Sequence, residues 1–195
     1  TWRRALSPAV ALPPHRTRAI VIRFDDSLHP RWDARHFERD VTAHLEALLA
    51  EVGPANEVQL DYDAPVRRLP QWASLVRRWR AEGPLTGRDV WVTSIPAHVS
   101  DPAAYRRAFD GAVDGHIMQV FDTGLTCDAA RVALLSRRVE EADLVYRVGV
   151  GAFERGRHTD HGCWFRRWRD LGRGANFSGL WVFPAGHVYH HLIDA

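Results

Sequence analysis

The chain has 195 residues, of which 46% are hydrophobic and 26% charged, the balance of one globular domain able to bury a real core. With 26 basic residues against 24 acidic ones, the net charge of +2 makes no electrostatic case for nucleic acid. No apolar stretch approaches the roughly 18–20 residues that cross a bilayer as a helix.

Apart from histidine, every basic residue is Arg. The pairs Arg67-Arg68, Arg77-Arg78, Arg106-Arg107, Arg137-Arg138 and Arg166-Arg167 are spread over separate predicted helices or their approaches, which fits solvated helix faces and a codon bias. Cys127 and Cys163 are too few for a disulfide scaffold and lack metal-ligand spacing. Each follows a predicted strand, so one disulfide in an exported protein and two free thiols are both open readings. The chain starts at Thr1 rather than Met, so removal of a leader or anchor is left open, with a periplasmic or lipid-anchored site as the exported alternative.

Residues 1–17, with Pro8, Pro13 and Pro14, read as an irregular lead-in to a domain over 18–195. Strands are predicted at Arg18–Asp25, Glu57–Asp63, Asp89–Ile95, His116–Phe121, Val145–Phe153 and Gly179–Phe183. Helical patterns lie between them at about 33–52, 71–82, 101–112, 126–142 and 161–171. In the first, Phe37, Val41, His44, Leu45, Leu48 and Leu49 recur at helical spacing, and Gly53-Pro54 gives a stop. Trp72, Leu75, Val76 and Trp79 form one stripe, and Val132, Leu135 and Val139 another. Asp101-Pro102 reads as an N-cap with proline at the first helical position.

Strict β-α alternation implies right-handed crossovers and a parallel sheet, either open and doubly wound or closed into a barrel. Nearly every strand ends in residues that chemistry can use: Asp25-Asp26, Asp61 and Asp63, Ser94 and His98, Gln119 and Asp122, Glu154, and Trp181. A barrel gathers its site from many strand ends, and no Gly-rich phosphate loop follows the first strand. The expected fold class is therefore α/β, a parallel (β/α) TIM-like barrel. Six strand–helix units are visible, so one or two are truncated, degenerate or outside this chain.

Alternation puts Gln59, Asp61 and Asp63 on one strand face and Val58, Leu60 and Tyr62 on the other. The polar set is expected to face the barrel axis, together with Val21, Arg23 and Asp25, with Ile117, Gln119 and Phe121, and with Arg147, Gly149, Gly151 and Phe153. Arg23 and Arg147 are natural partners for Asp61 and Asp25, since buried charges must be paired. Such an interior reads either as an ion-pair network filling a core or as a sugar site of carboxylates and aromatic rings. Of the eight tryptophans, Trp72, Trp79, Trp164 and Trp168 fit helix stripes, while Trp181 on a strand is the candidate sugar platform.

The strongest local signal is Val58-Gln59-Leu60-Asp61-Tyr62-Asp63-Ala64-Pro65, a strand delivering two carboxylates two residues apart. Such a pair can hold a metal, or let one acid raise the other's pKa for proton transfer. Continuing through Val66-Arg67-Arg68-Leu69, this segment resembles an uncharacterised bacterial family of glycoside-hydrolase-like TIM-barrel proteins, a domain-of-unknown-function family. Val21-Ile22-Arg23-Phe24-Asp25-Asp26-Ser27, Val92-Thr93-Ser94-Ile95-Pro96, Ile117-Met118-Gln119-Val120-Phe121 and Tyr146-Arg147-Val148-Gly149-Val150-Gly151-Ala152-Phe153 resemble the same pattern in order, over roughly residues 18 to 184. The resemblance implies a barrel and a carbohydrate context, with no established reaction. Chitinase-like barrels end the D-x-D-x-E strand on the glutamate that protonates the leaving group; here that place is Pro65, and Phe121 stands where the family pattern expects His.

The expected site therefore comprises Asp61 and Asp63 as central carboxylates, with Arg23, Asp25, Gln119, Asp122, Arg147, Glu154 and Trp181 around the substrate. Asp63, Asp122 and Glu154 are the alternative proton donors. The expected partner is a carbohydrate, bound or hydrolysed, and the expected site needs no cofactor and no metal. The first alternative is a non-catalytic carbohydrate-binding or interaction barrel, which Pro65 favours. The second is a metal-dependent polysaccharide deacetylase, suggested by Phe24-Asp25-Asp26 and by His158-Thr159-Asp160-His161, which is one to two residues short of the histidine motif those enzymes carry. His187, His190 and His191 read as a surface segment, and neither a G-x-S-x-G elbow nor a catalytic Cys–His arrangement is present.

Overall fold

Six strands alternate with five α-helices along the chain, and a computed structural model describes them over residues 19–52, 55–152, 161–171 and 174–184. The strands are β1 (Ala19–Phe24), β2 (Glu57–Tyr62), β3 (Asp89–Ser94), β4 (Gly115–Gln119), β5 (Tyr146–Ala152) and β6 (Phe177–Pro184). The helices are α1 (Phe37–Val52), α2 (Leu69–Glu82), α3 (Pro102–Phe109), α4 (Ala129–Glu141) and α5 (His161–Leu171). The lead-in at 1–17, Phe153, Glu154, the stretch His158–Asp160 and the C-terminal histidines lie outside the described residues.

All five strand pairings are parallel, and the spatial order β1-β2-β3-β4-β5-β6 follows the chain. A doubly wound sheet reverses its order at a switch point; with no reversal, right-handed crossovers set every helix on the same face. The architecture is barrel-like, but the sheet is not closed, and β1 and β6 each pair with one neighbour among the described residues. Consequently the inner face of β1 is open, with Val21 44% exposed, whereas every residue of β2 is buried.

The outer face follows from strand alternation. Val58, Leu60 and Tyr62 are buried toward the helices, where Tyr62, Phe24 and Trp79 each meet the Trp72 ring edge-on and Phe24 stacks on Trp79. Trp164 and Trp168 are likewise core residues of α5. The expected Asp101 cap is present: its carboxylate accepts from the Ala104 amide at 2.9 Å, and Asp128 caps α4 through the Arg131 amide at the same distance. Boundaries shift where local chemistry competes with periodicity. Pro30 lies in a 3-10 turn over Asp26–Arg31, and α1 starts at Phe37, the first residue of the apolar stripe and four residues after the expected start near 33. The strand β6 starts at Phe177, two residues before the expected Gly179, and a register shift at Tyr146/Arg147 absorbs the difference.

Cys127 and Cys163 form a disulfide across 36 residues of chain, tying the segment before α4 to α5. Closing a loop of that length restricts the unfolded chain by on the order of 3–4 kcal/mol. Urea unfolding with and without reductant is expected to show a loss of about that size. Coincident midpoints for the thiol and oxidised forms would show that the crosslink adds nothing.

Candidate functional site

The inner face carries the polar residues in two groups. At the C-terminal ends of β1 and β2, Arg23 donates from Nη1 to Asp61 Oδ2 at 2.7 Å and from Nη2 to Asp63 Oδ2 at 3.3 Å. Register explains the first contact, because Arg23 and Asp61 are directly paired across the β1–β2 ladder. Asp61 is 6% exposed, while the Arg23 side chain is 59% exposed, so the ion pair runs from the interior to the mouth. Burial, and then the adjacent Asp61 charge, push the Asp63 carboxyl above the usual carboxylate range; Arg23 opposes this only in part. Burial works to lower the Arg23 pKa, but Asp61 and Asp63 hold the guanidinium above its ordinary value.

The second group lies toward the other end of the strands. Arg147 donates from Nη1 and Nη2 to both oxygens of Glu57, at 2.7 and 2.9 Å, and Gln59 donates to Glu57 Oε1 at 2.9 Å. The guanidinium lies 3.7 Å from the centre of the Trp91 ring and 5.2 Å from that of Trp181. Trp91 fits because the facing position on β4 is Gly115, where a Cβ would sit 2.5 Å from the indole and 2.7 Å from the Val145 carbonyl. Glu57 and Arg147 stand on strands three steps apart, about 14 Å in a flat sheet, where their side chains would run parallel and never meet. Their bidentate contact shows how strongly the sheet curls.

The predicted residues separate accordingly. Arg23, Asp61 and Asp63 come together as one group. Arg147 and Trp181 come together in the other, and Arg147 pairs with Glu57 rather than with the expected Asp25. Asp25 instead caps the 3-10 turn Asp26–Arg31, accepting from the Ser27 amide at 2.9 Å, because the strand ends one residue before it. Trp181 faces the Arg147 guanidinium instead of standing as a free platform. Gln119, the last residue of β4, is buried and donates to the Phe121 carbonyl at 3.2 Å. Phe121 packs on Phe183 with ring centres 5.2 Å apart, which leaves this part of the face apolar. Asp122 follows in the left-handed region at φ 53° and is exposed, and Glu154 lies outside the described residues.

Ser94 and His98 do not reach the inner face. Ser94 shares the outward alternation of Val90 and Val92 and makes a 2.7 Å hydrogen bond with His116 Nδ1 beneath α3. His98 Nε2 donates to the Ala64 carbonyl at 2.7 Å, and its Nδ1 accepts from the Ile95 amide at 3.3 Å. Both rings are therefore internal struts. Pro65 opens the short 3-10 turn Val66–Arg68 directly after the Asp61–Asp63 strand end.

Fold and site together define an α/β protein with a singly wound, barrel-like parallel sheet whose charged residues line the concave face. No family model matches the chain, and none of the curated proteins matches it. Among the described residues, no group of three His, Cys, Asp or Glu side chains is placed to hold a metal ion. No helix among them is long and apolar enough to cross a membrane.

Proposed function

We propose that this chain is a glycoside-hydrolase-like barrel protein that binds and hydrolyses a polysaccharide at the C-terminal ends of β1 and β2. The observation carrying the reading is the Arg23–Asp61–Asp63 group. It places two carboxylates side by side at a strand-end mouth, Asp61 held by the shorter bond to Arg23 and Asp63, at the longer one, pushed toward its neutral form by burial and the Asp61 charge. Glycoside hydrolysis needs that division, a protonated carboxyl to give its proton to the leaving oxygen and an ionised partner to stabilise positive charge on the sugar. Asp63 takes the donor role that Pro65 cannot fill, and Asp61 the second. The segment resemblance to glycoside-hydrolase-like barrels points the same way. The Cys127–Cys163 disulfide supports an exported chain with access to polysaccharide, because such bonds persist in oxidising compartments.

Pro65 also favours a second reading, a barrel that binds sugar without cleaving it. A glycan-array screen on the wild type, followed by turnover assays on the best ligand, separates the two. Asp63→Asn is expected to keep binding while turnover falls at least about 100-fold, the scale of a lost general acid. Binding without any turnover by the wild type would leave the non-catalytic reading. A folded wild type that binds no glycan would remove both.

A further inference from the structure

The β2 strand and the residue that follows it present a row of acceptor atoms to which nothing among the described residues donates. Gln59 Oε1, Asp61 Oδ1 and Asp63 Oδ1 are each buried and without a hydrogen-bond partner. Gln59 is 1% exposed, and its position two residues before Asp61 places it on the same strand face. Leaving one buried acceptor unmet costs about 1–3 kcal/mol, so three on one face are a standing demand for donors. The charges acting on Asp63 add to that demand. They are the Asp61 and Asp26 carboxylates and the Arg23 guanidinium, two acids against one base. His29 lies 3.7 Å from Asp26, and the Arg147–Glu57 pair further down the face is internally neutral. Arg23 and Asp63 stand at the mouth above the row, with side chains 59% and 27% exposed.

Resting on the carbohydrate reading above, we propose that the ligand of this mouth is a cationic amino sugar, a polysaccharide segment carrying free ammonium groups. An ammonium offers three donors and a positive charge, and sugar hydroxyls supply further donors. A neutral N-acetyl group would give up the charge. A uronic acid would place like charge against Asp61 and Asp26.

Isothermal titration with three oligosaccharides tests the assignment: a glucosamine hexamer, the N-acetylglucosamine hexamer and a galacturonic acid oligomer, each in low and in high salt. The glucosamine hexamer is expected to bind at least about tenfold more tightly than the N-acetylated one, and to weaken as salt rises. The galacturonic acid oligomer is expected not to bind. Asp61→Asn/Asp63→Asn, checked for folding by circular dichroism, is expected to lose this binding. Asp26→Asn, an exposed change that leaves the fold alone, is expected to weaken it severalfold. Equal affinity for the two hexamers, lost together in the folded double variant, would overturn the cationic assignment and leave the carbohydrate site standing. Glucosamine binding that survives the double variant, or stoichiometric displacement by calcium, would also overturn it. If no oligosaccharide binds the folded wild type, both readings fall.

Discussion

Arg147→Ala is expected to destabilise the fold by about 3–5 kcal/mol, the cost of stranding one member of a buried ion pair. Glu57 is 5% exposed and would lose both guanidinium bonds, leaving the Gln59 amide as its remaining side-chain donor. Trp91 would lose the cation on its face, a contact worth about 1–2 kcal/mol when desolvated. Urea unfolding measures the effect. The double variant Arg147→Met/Glu57→Leu is expected to recover most of it, because apolar residues of similar volume replace a buried pair with little penalty. A cost below about 1 kcal/mol for the single variant would contradict the structural role and return Arg147 and Trp181 to the list of ligand-binding residues. The interior is thereby divided in two: the lower group holds the curled sheet together, and the Arg23–Asp61–Asp63 group is left for chemistry.

That division could be read only in part from sequence. Period-two alternation on β2 correctly separated Val58, Leu60 and Tyr62 from Gln59, Asp61 and Asp63, because the two faces differ so sharply in polarity. The Arg23–Asp61 pair was also legible, since adjacent strands of similar length bring equivalent positions into register. Glu57 belongs to the same alternation as Asp61, four residues earlier, but its bond to Arg147 depends on a curl that joins strands 90 residues apart. Trp91 was hidden for a related reason: its ring needs the empty side of Gly115 on the next strand, and one strand's pattern carries no record of its neighbour. Ser94 was legible in principle, because it continues the Val90, Val92 alternation toward the helices. Its polarity suggested the mouth instead, and only the buried His116 that receives it explains a serine there.

Those buried histidines set the second large effect, a loss of stability in mild acid. Burial holds His98 down to about 4, with its bond to the Ala64 carbonyl opposing only weakly. His116 is pushed down to about 3 by burial first and by His98 second. Ser94 and Tyr105 lie against these rings and Tyr146 against His116, and burial moves both phenols away from ionisation, helped at Tyr146 by Glu140. An unfolded histidine takes up its proton near pH 6.5, whereas the folded ones stay neutral until about 4 and about 3. Between those limits the unfolded chain binds more protons, so stability is complete above about pH 6.5 and falls as the pH falls toward 4. Each histidine removes up to about 3 kcal/mol by the end of that range. Asp63 acts in the opposite direction, since a carboxyl with a raised pKa gains stability as it protonates, but it is partly exposed and offsets only a fraction. The geometry gives the acid effect a local origin. A proton on His98 Nδ1 would set that atom donor-to-donor against the Ile95 amide, straining the strut that fixes Ala64 beside Asp63. Urea midpoints measured from pH 7 to pH 4 are expected to fall steadily, and His98→Gln is expected to flatten the slope by about half. A midpoint that stays level over this range, or a slope unchanged by the variant, would show that these rings carry no such charge penalty.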